Sequence, residues 1–220
     1  MKICALIILL FFLGSCTDDR DWVTLQKEAA KFAEEGNFEE AATLAQKSLA
    51  QAKSALGPSH EDIAHVHNTL AMIAYGKKDY TQAEAHHLLA LSIQEQMLDE
   101  NDLEIGRTLT YLGDFFLIQR SLKKALDMHE RAHKVLVANM GEKHPDVGRS
   151  LNNLARIYSA QNRLREAADY HTQSLAILEP ALGSDHPEVE MVVDNLTALY
   201  SDIVPQNRSP EITEKNLQNK

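Results

Sequence analysis

The chain has 220 residues, and 22 Lys and Arg stand against 32 Asp and Glu, a net charge of −10. That balance argues against nucleic acid, whose phosphates need a basic footprint, and against purely electrostatic adhesion to anionic lipid. With only 9 Gly and 6 Pro, turn chemistry is sparse, and almost no stretch alternates apolar and polar residues as a half-buried strand does.

The first element is a leader. Met1-Lys2 precedes an almost wholly apolar run, Ile3 to Leu13, which ends in Gly14-Ser15-Cys16. The run is too short to span a bilayer, which takes about 20 helical residues, and it has the length of a signal-peptide core. Leu13-Gly14-Ser15-Cys16 resembles a bacterial lipobox. The resemblance implies removal of residues 1–15, a diacylglyceryl group on the Cys16 thiol and acylation of the new amino terminus. Residues 16–21 then form the lipidated Cys and a short spacer; an ordinary secretory signal with an incidental Cys is the alternative. Cys4 lies in the removed part, so Cys16 is the one cysteine expected in the mature chain, and no internal disulfide is possible. Several acyl chains anchor stably where one does not. In lipoproteins of this type an Asp directly after the Cys resembles an inner-membrane retention signal. Thr17 stands there instead, so the expected address is the periplasmic side of the envelope, and the outer membrane before the inner.

From Trp22 the sequence repeats every 42 residues. Leu56-Gly57, Leu98-Asp99, Met140-Gly141 and Leu182-Gly183 stand one step apart, as do Leu70, Leu112, Leu154 and Leu196. A fixed period of this size marks a solenoid, whose units bury their apolar faces only against neighbours. Each period reads as two helices. First helices are expected from Trp22, Asp62, Leu103, Asp146 and Glu188, and second helices from Phe38, Tyr80, Leu122 and Leu164. The units are about 22–60, 61–102, 103–144 and 145–186, followed by a capping helix over 188–202. Gly57-Pro58, Gly141 with His144-Pro145, and Gly183 with His186-Pro187 stop the second helices. The junction Asp99-Glu100-Asn101-Asp102 has neither Gly nor Pro, which predicts a looser turn. Small residues recur where helix axes must approach: Ala29, Ala71, Gly113 and Ala155, then Ala41, Ala83, Ala125 and Ala167, then Ser48, Ala90, Ala132 and Ser174. Residues 203–220, with Pro205 and Pro210 in a polar stretch, read as a mostly disordered tail.

His144-Pro145-Asp146-Val147, Ser150-Leu151-Asn152-Asn153-Leu154-Ala155 and Glu166-Ala167-Ala168 resemble the tetratricopeptide repeat, in the 42-residue form found in kinesin light chains and many bacterial proteins. HEAT and armadillo arrays share a similar period without this small-residue pattern. The resemblance implies an all-α fold, a right-handed α-solenoid of four helix pairs plus a C-terminal capping helix. The first unit departs most, with Glu28 where the others have Leu.

The same resemblance implies that first helices line a concave groove. By register its inward positions are His65, Arg107 and Arg149; Asn68, Thr110 and Asn152; Met72, Asp114 and Arg156; and, one turn on, Tyr75, Leu117 and Ser159. Asn68 and Asn152 match positions that grip peptides in the kinesin light-chain family, and Thr110 departs. Arg forks onto carboxylates and Asn pairs with both backbone groups, so the expected ligand is an extended, partly acidic protein segment. Solvated residues on an unused face are the bland alternative for each position.

His129-Glu130-Arg131-Ala132-His133 matches the zinc-protease pattern, in which two His one helical turn apart bind metal and the Glu is the base. The period explains most of it: His129 takes the place of His87 and His171, and only His133 is unexpected, where Leu49, Leu91 and Leu175 stand. Both His positions are expected to face helix interfaces, and no third ligand follows at the known spacings. The expectation is therefore a lipid-anchored adaptor without enzymatic activity or cofactor, monomeric until it meets its protein partner. A zinc hydrolase and a self-associating structural protein are the alternatives.

Overall fold

The computed structural model describes residues 21–206, with side chains described as far as residue 203. Over this span the chain is helix and turn: α1 (Trp22–Glu34), α2 (Phe38–Leu56), α3 (Glu61–Gly76), α4 (Tyr80–Met97), α5 (Leu103–Ile118), α6 (Leu122–Met140), α7 (Pro145–Ala160), α8 (Leu164–Leu182) and α9 (Pro187–Gln206). The second helices start where the aromatic and Leu residues predict. α7 and α9 start one residue earlier than expected, on the proline itself. Proline suits that place, because the first helical N–H has no partner inside the helix.

Two kinds of turn alternate, each repeated at the 42-residue step. Within a pair, one left-handed residue reverses the chain: Gly36, Lys78 (φ 62°), Arg120 (φ 59°) and Asn162 (φ 61°). The N–H after each reaches back five residues, as Asp79 does to the Ala74 carbonyl and Ser121 to that of Phe116, both at 2.8 Å. This is the closing bond of a Schellman turn. Between pairs, the junction residue caps the next helix. The Nδ1 atoms of His60, His144 and His186 accept from the backbone N–H two residues on, each at 3.2 Å. Asp102 does the same through its carboxylate at 2.8 Å. The junction expected to be looser is closed by the bond its counterparts use: Asp102 N–H donates to the Asp99 carbonyl, as His144 does to Gly141 and His186 to Gly183. A carboxylate cap replaces the missing Gly and Pro.

Packing follows chain order, with each helix against its pair partner and then against the next pair. The core is therefore a row of clusters: one around Ala29, Val66 and Leu70, one around Leu109, Leu112 and Phe116, and one around Leu154, Tyr158 and Leu199. Ala29, Ala71 and Ala155 and the row Ala41, Ala83, Ala125 and Ala167 are fully buried. A Cβ on Gly113 would sit 2.5 Å from the His129 ring, so this small residue makes room for a neighbour's side chain. At the third small position Ser48 and Ser174 donate to the carbonyls of Trp22 and Gly148, both at 2.7 Å.

One boundary is corrected. α9 continues through Pro205 to Gln206 and takes in the start of the predicted tail. Ile203 continues the stripe of Leu196 and Leu199 and packs on their cluster, so the helix still has a face to bury past Asp202. The leader with Cys16, and residues 207–220, lie outside the described residues.

Candidate functional site

α3, α5 and α7 are enclosed except along one narrow face each. On α3 that face shows Met72 and Tyr75, on α5 Leu103, Arg107, Tyr111 and Ile118, and on α7 Arg156. These residues recur at helical spacing. Second helices show a broader exposed side, polar for the most part but with Leu88, Leu89 and Met97 open on α4. In a curved stack the layer with the narrow free face is the inner one, so this row is the groove side.

The polar residues expected there are largely spoken for by neighbours. Glu104 lies beside two of them: Arg107 is 3.2 Å from one carboxylate oxygen and His65 3.5 Å from the other. Arg149 bonds Glu188 at 2.7 Å and Asp146 at 2.5 Å. The hydrogen bond to Glu188 is the first cause that raises its pKa, and Arg149 ties α7 to α9. Asp114 lies 3.9 Å from Arg156 and 3.5 Å from His129. Asn68 is 7 % exposed and is turned into the array, where its Nδ2 donates to Thr108 at 2.8 Å and its Oδ1 meets His87 at 3.0 Å. Asn152 is also buried, with its Oδ1 unpartnered. Thr110 donates back to the Gly106 carbonyl. Met72 and Tyr75 are open to the groove; Tyr75 leans on Tyr80 and Phe115.

Sequence reasoning missed Tyr111 and Ile118. Ile118 is 55 % exposed, the most open large apolar side chain on this face. The signal was available: Ile118 stands where the other units have Gly76 and Ala160, and Tyr111 where they have Thr69 and Asn153. It also missed a histidine cluster inside the second unit. His67 and His86 stack with Nδ1 atoms 3.1 Å apart. Burial first, then His86 and Lys53, pushes His67 down to about 4; burial and then His86 does the same to His87.

His129 and His133 diverge. His129 is fully buried toward Gly113 and Asp114 of α5, whereas His133 reaches Ser150 of α7 at 2.7 Å. Among the described residues, no three His, Cys, Asp or Glu side chains gather as a metal site. The expectation that both face interfaces is corrected for His133, which also lines an open cleft.

The family model of the tetratricopeptide repeat matches residues 29–96 and 104–179. The chain is a tetratricopeptide repeat protein. Solved structures share its fold at low identity. A crystal structure of kinesin light chain nearly identical tetratricopeptide-like repeats from Podosopora anserina superposes with a TM-score of 0.72 at 20% identity, over 83% of this chain and 86% of that one. BtubC (BKLC) from P. vanneervenii gives 0.74 at 22% identity, over 82% and 72%. The apo form of RapI gives 0.71 at 12%, over 84% and 64%. Comparison with curated proteins finds no match. The array is thus a protein-interaction scaffold in fold, and its inner face combines open apolar side chains with mostly paired charges.

Proposed function

We propose that this tetratricopeptide protein is a membrane-anchored adaptor that holds an extended segment of an envelope protein in its concave groove. The observation that carries the reading is the open row Met72, Tyr75, Tyr111 and Ile118 on the inner layer. Burying such side chains against a partner gains roughly 25 cal/mol per Å² of apolar surface. Arg107 faces the same groove with one carboxylate, Glu104, which it shares with His65. It is the arginine best placed to take an acidic side chain of the ligand, while Arg149 serves the fold. The anchor rests on Leu13-Gly14-Ser15-Cys16, and the outer membrane on Thr17 after the Cys. The adaptor is monomeric until its partner binds.

One fractionation-and-capture experiment tests both halves. Cys16→Ala should leave the membrane fraction and keep binding a groove ligand selected by peptide display. Met72→Ser with Ile118→Ser should stay in the membrane fraction and lose at least about tenfold in affinity, with melting little changed. Membrane retention of Cys16→Ala refutes the anchor, and unchanged affinity in the double variant refutes the groove.

A further inference from the structure

The 42-residue step also shows where neighbouring second helices are bridged on the outer surface and where they are not. Two contacts tie α6 to α4 and the turn after it, whereas the corresponding positions between α2 and α4, Leu89, Lys53, Met97 and Ser59, can form neither. Arg131 meets Glu95 at 2.5 Å, and Asn139 Nδ2 donates to the Asn101 carbonyl at 2.6 Å. One period on, between α6 and α8, those four positions are Gln173, Val137, Ala181 and Lys143. Val137 cannot receive a charge and Ala181 cannot donate, so neither bridge can form. All four residues line a cleft of about 820 Å³, within the usual range of small-molecule sites.

The same cleft holds the one residue of the protease-like motif that the period does not explain. His133 stands where Leu49, Leu91 and Leu175 stand, and it lines the cleft. Its Nδ1 lies 2.7 Å from Ser150 Oγ, and that hydroxyl donates to the Val147 carbonyl at 2.7 Å. A hydroxyl has one proton, so Ser150 accepts from His133 Nδ1–H. The neutral ring then carries a bare Nε2, an acceptor. Burial pulls the His133 pKa below its ordinary value, which keeps that form at neutral pH. Pro180 has no N–H to bond the Ala176 carbonyl, and both residues line the cleft. Val137, Val147, Leu151 and Ile177 supply apolar walls beside these groups, while the charged pair Glu142 and Lys143 brings one charge of each sign.

We propose that this cleft is a second binding site, separate from the groove, for an uncharged and largely apolar small molecule that carries one N–H or O–H donor. The donor bonds His133 Nε2 and the apolar body packs on Val137, Ile177 and their neighbours. A charged ligand would lose its hydration against such walls.

Indole and 1-methylindole, which differ in that donor, are the probes, titrated into the full chain while the imidazole nitrogen resonances are followed. Indole should bind about five- to tenfold more tightly, the value of one neutral hydrogen bond, and should shift His133 Nε2. His133→Leu restores the repeat residue and should erase the difference between the probes. Val137→Glu with Gln173→Arg rebuilds the bridge of the preceding pair, and should abolish binding without lowering the melting temperature. Equal affinity for the two probes, no saturable binding of indole, or undiminished binding in the bridged variant overturns the proposal. So does a blocked tryptophan peptide that binds more than tenfold tighter than indole, which would give the site to a protein segment.

Discussion

His67 and His86 occupy, in the second unit, the positions that hold Leu25 and Leu44, Leu109 and Met128, or Leu151 and Tyr170 elsewhere. An imidazole in an apolar slot is tolerated while neutral, and the 3.1 Å between the two Nδ1 atoms leaves room for a single shared proton. Burial holds His67, His87 and His171 at about 4, against about 6.5 in an unfolded chain. Between these values the unfolded chain binds protons that the folded one refuses. Stability is therefore complete above about pH 6.5 and falls as pH drops toward 4, by up to about 1.4 kcal/mol per pH unit for each such histidine. Thermal melting from pH 8 to pH 4 should show a plateau followed by a decline. His67→Leu with His86→Met, which restores apolar residues, should make the decline shallower; an unchanged slope would show that these rings do not carry it.

At the scale of the element, helix spacing rests on the small-residue rows. Ala125 is fully buried in the cluster with Leu112 and Phe116, where α6 meets α5. Ala125→Leu should cost about 1–3 kcal/mol through overpacking, read as a lower melting temperature, whereas Ala138→Leu on the exposed side of α6 should cost little. These rows and the helix starts at Trp22, Phe38, Tyr80, Leu103, Leu122 and Leu164 were legible because steric volume and punctuation repeat with the chain. The left-handed turns at Lys78 and Arg120 were not, since neither residue advertises a positive φ as Gly36 does. The charge pairing was also hidden. A period says which residues stack, but not which neighbour a long side chain selects. His65 finds Glu104 and Arg149 finds Glu188, each 39 residues on. For Arg107 the residue 39 on is Asp146, and Asp146 is taken by Arg149. The row His65, Arg107 and Arg149 read from the sequence thus became two ties to the following unit and one guanidinium that pairs within its own helix.

The described residues form a stack whose core is a row of clusters, with helices packed in chain order. Such an array offers its partner a long surface and gains little by hiding apolar groups on the inner layer, so Met72, Tyr75, Tyr111 and Ile118 remain open. Site-specific photo-cross-linking in intact cells shows whether a partner lies in the groove. A photoreactive residue replaces Tyr111 on the inner face, or Lys134 on the exposed side of α6. A ligand held in the groove gives a discrete adduct from position 111, none from position 134, and loss of the first when Arg107→Glu is added. Adducts of equal yield from both positions, or from position 134 alone, would contradict groove binding.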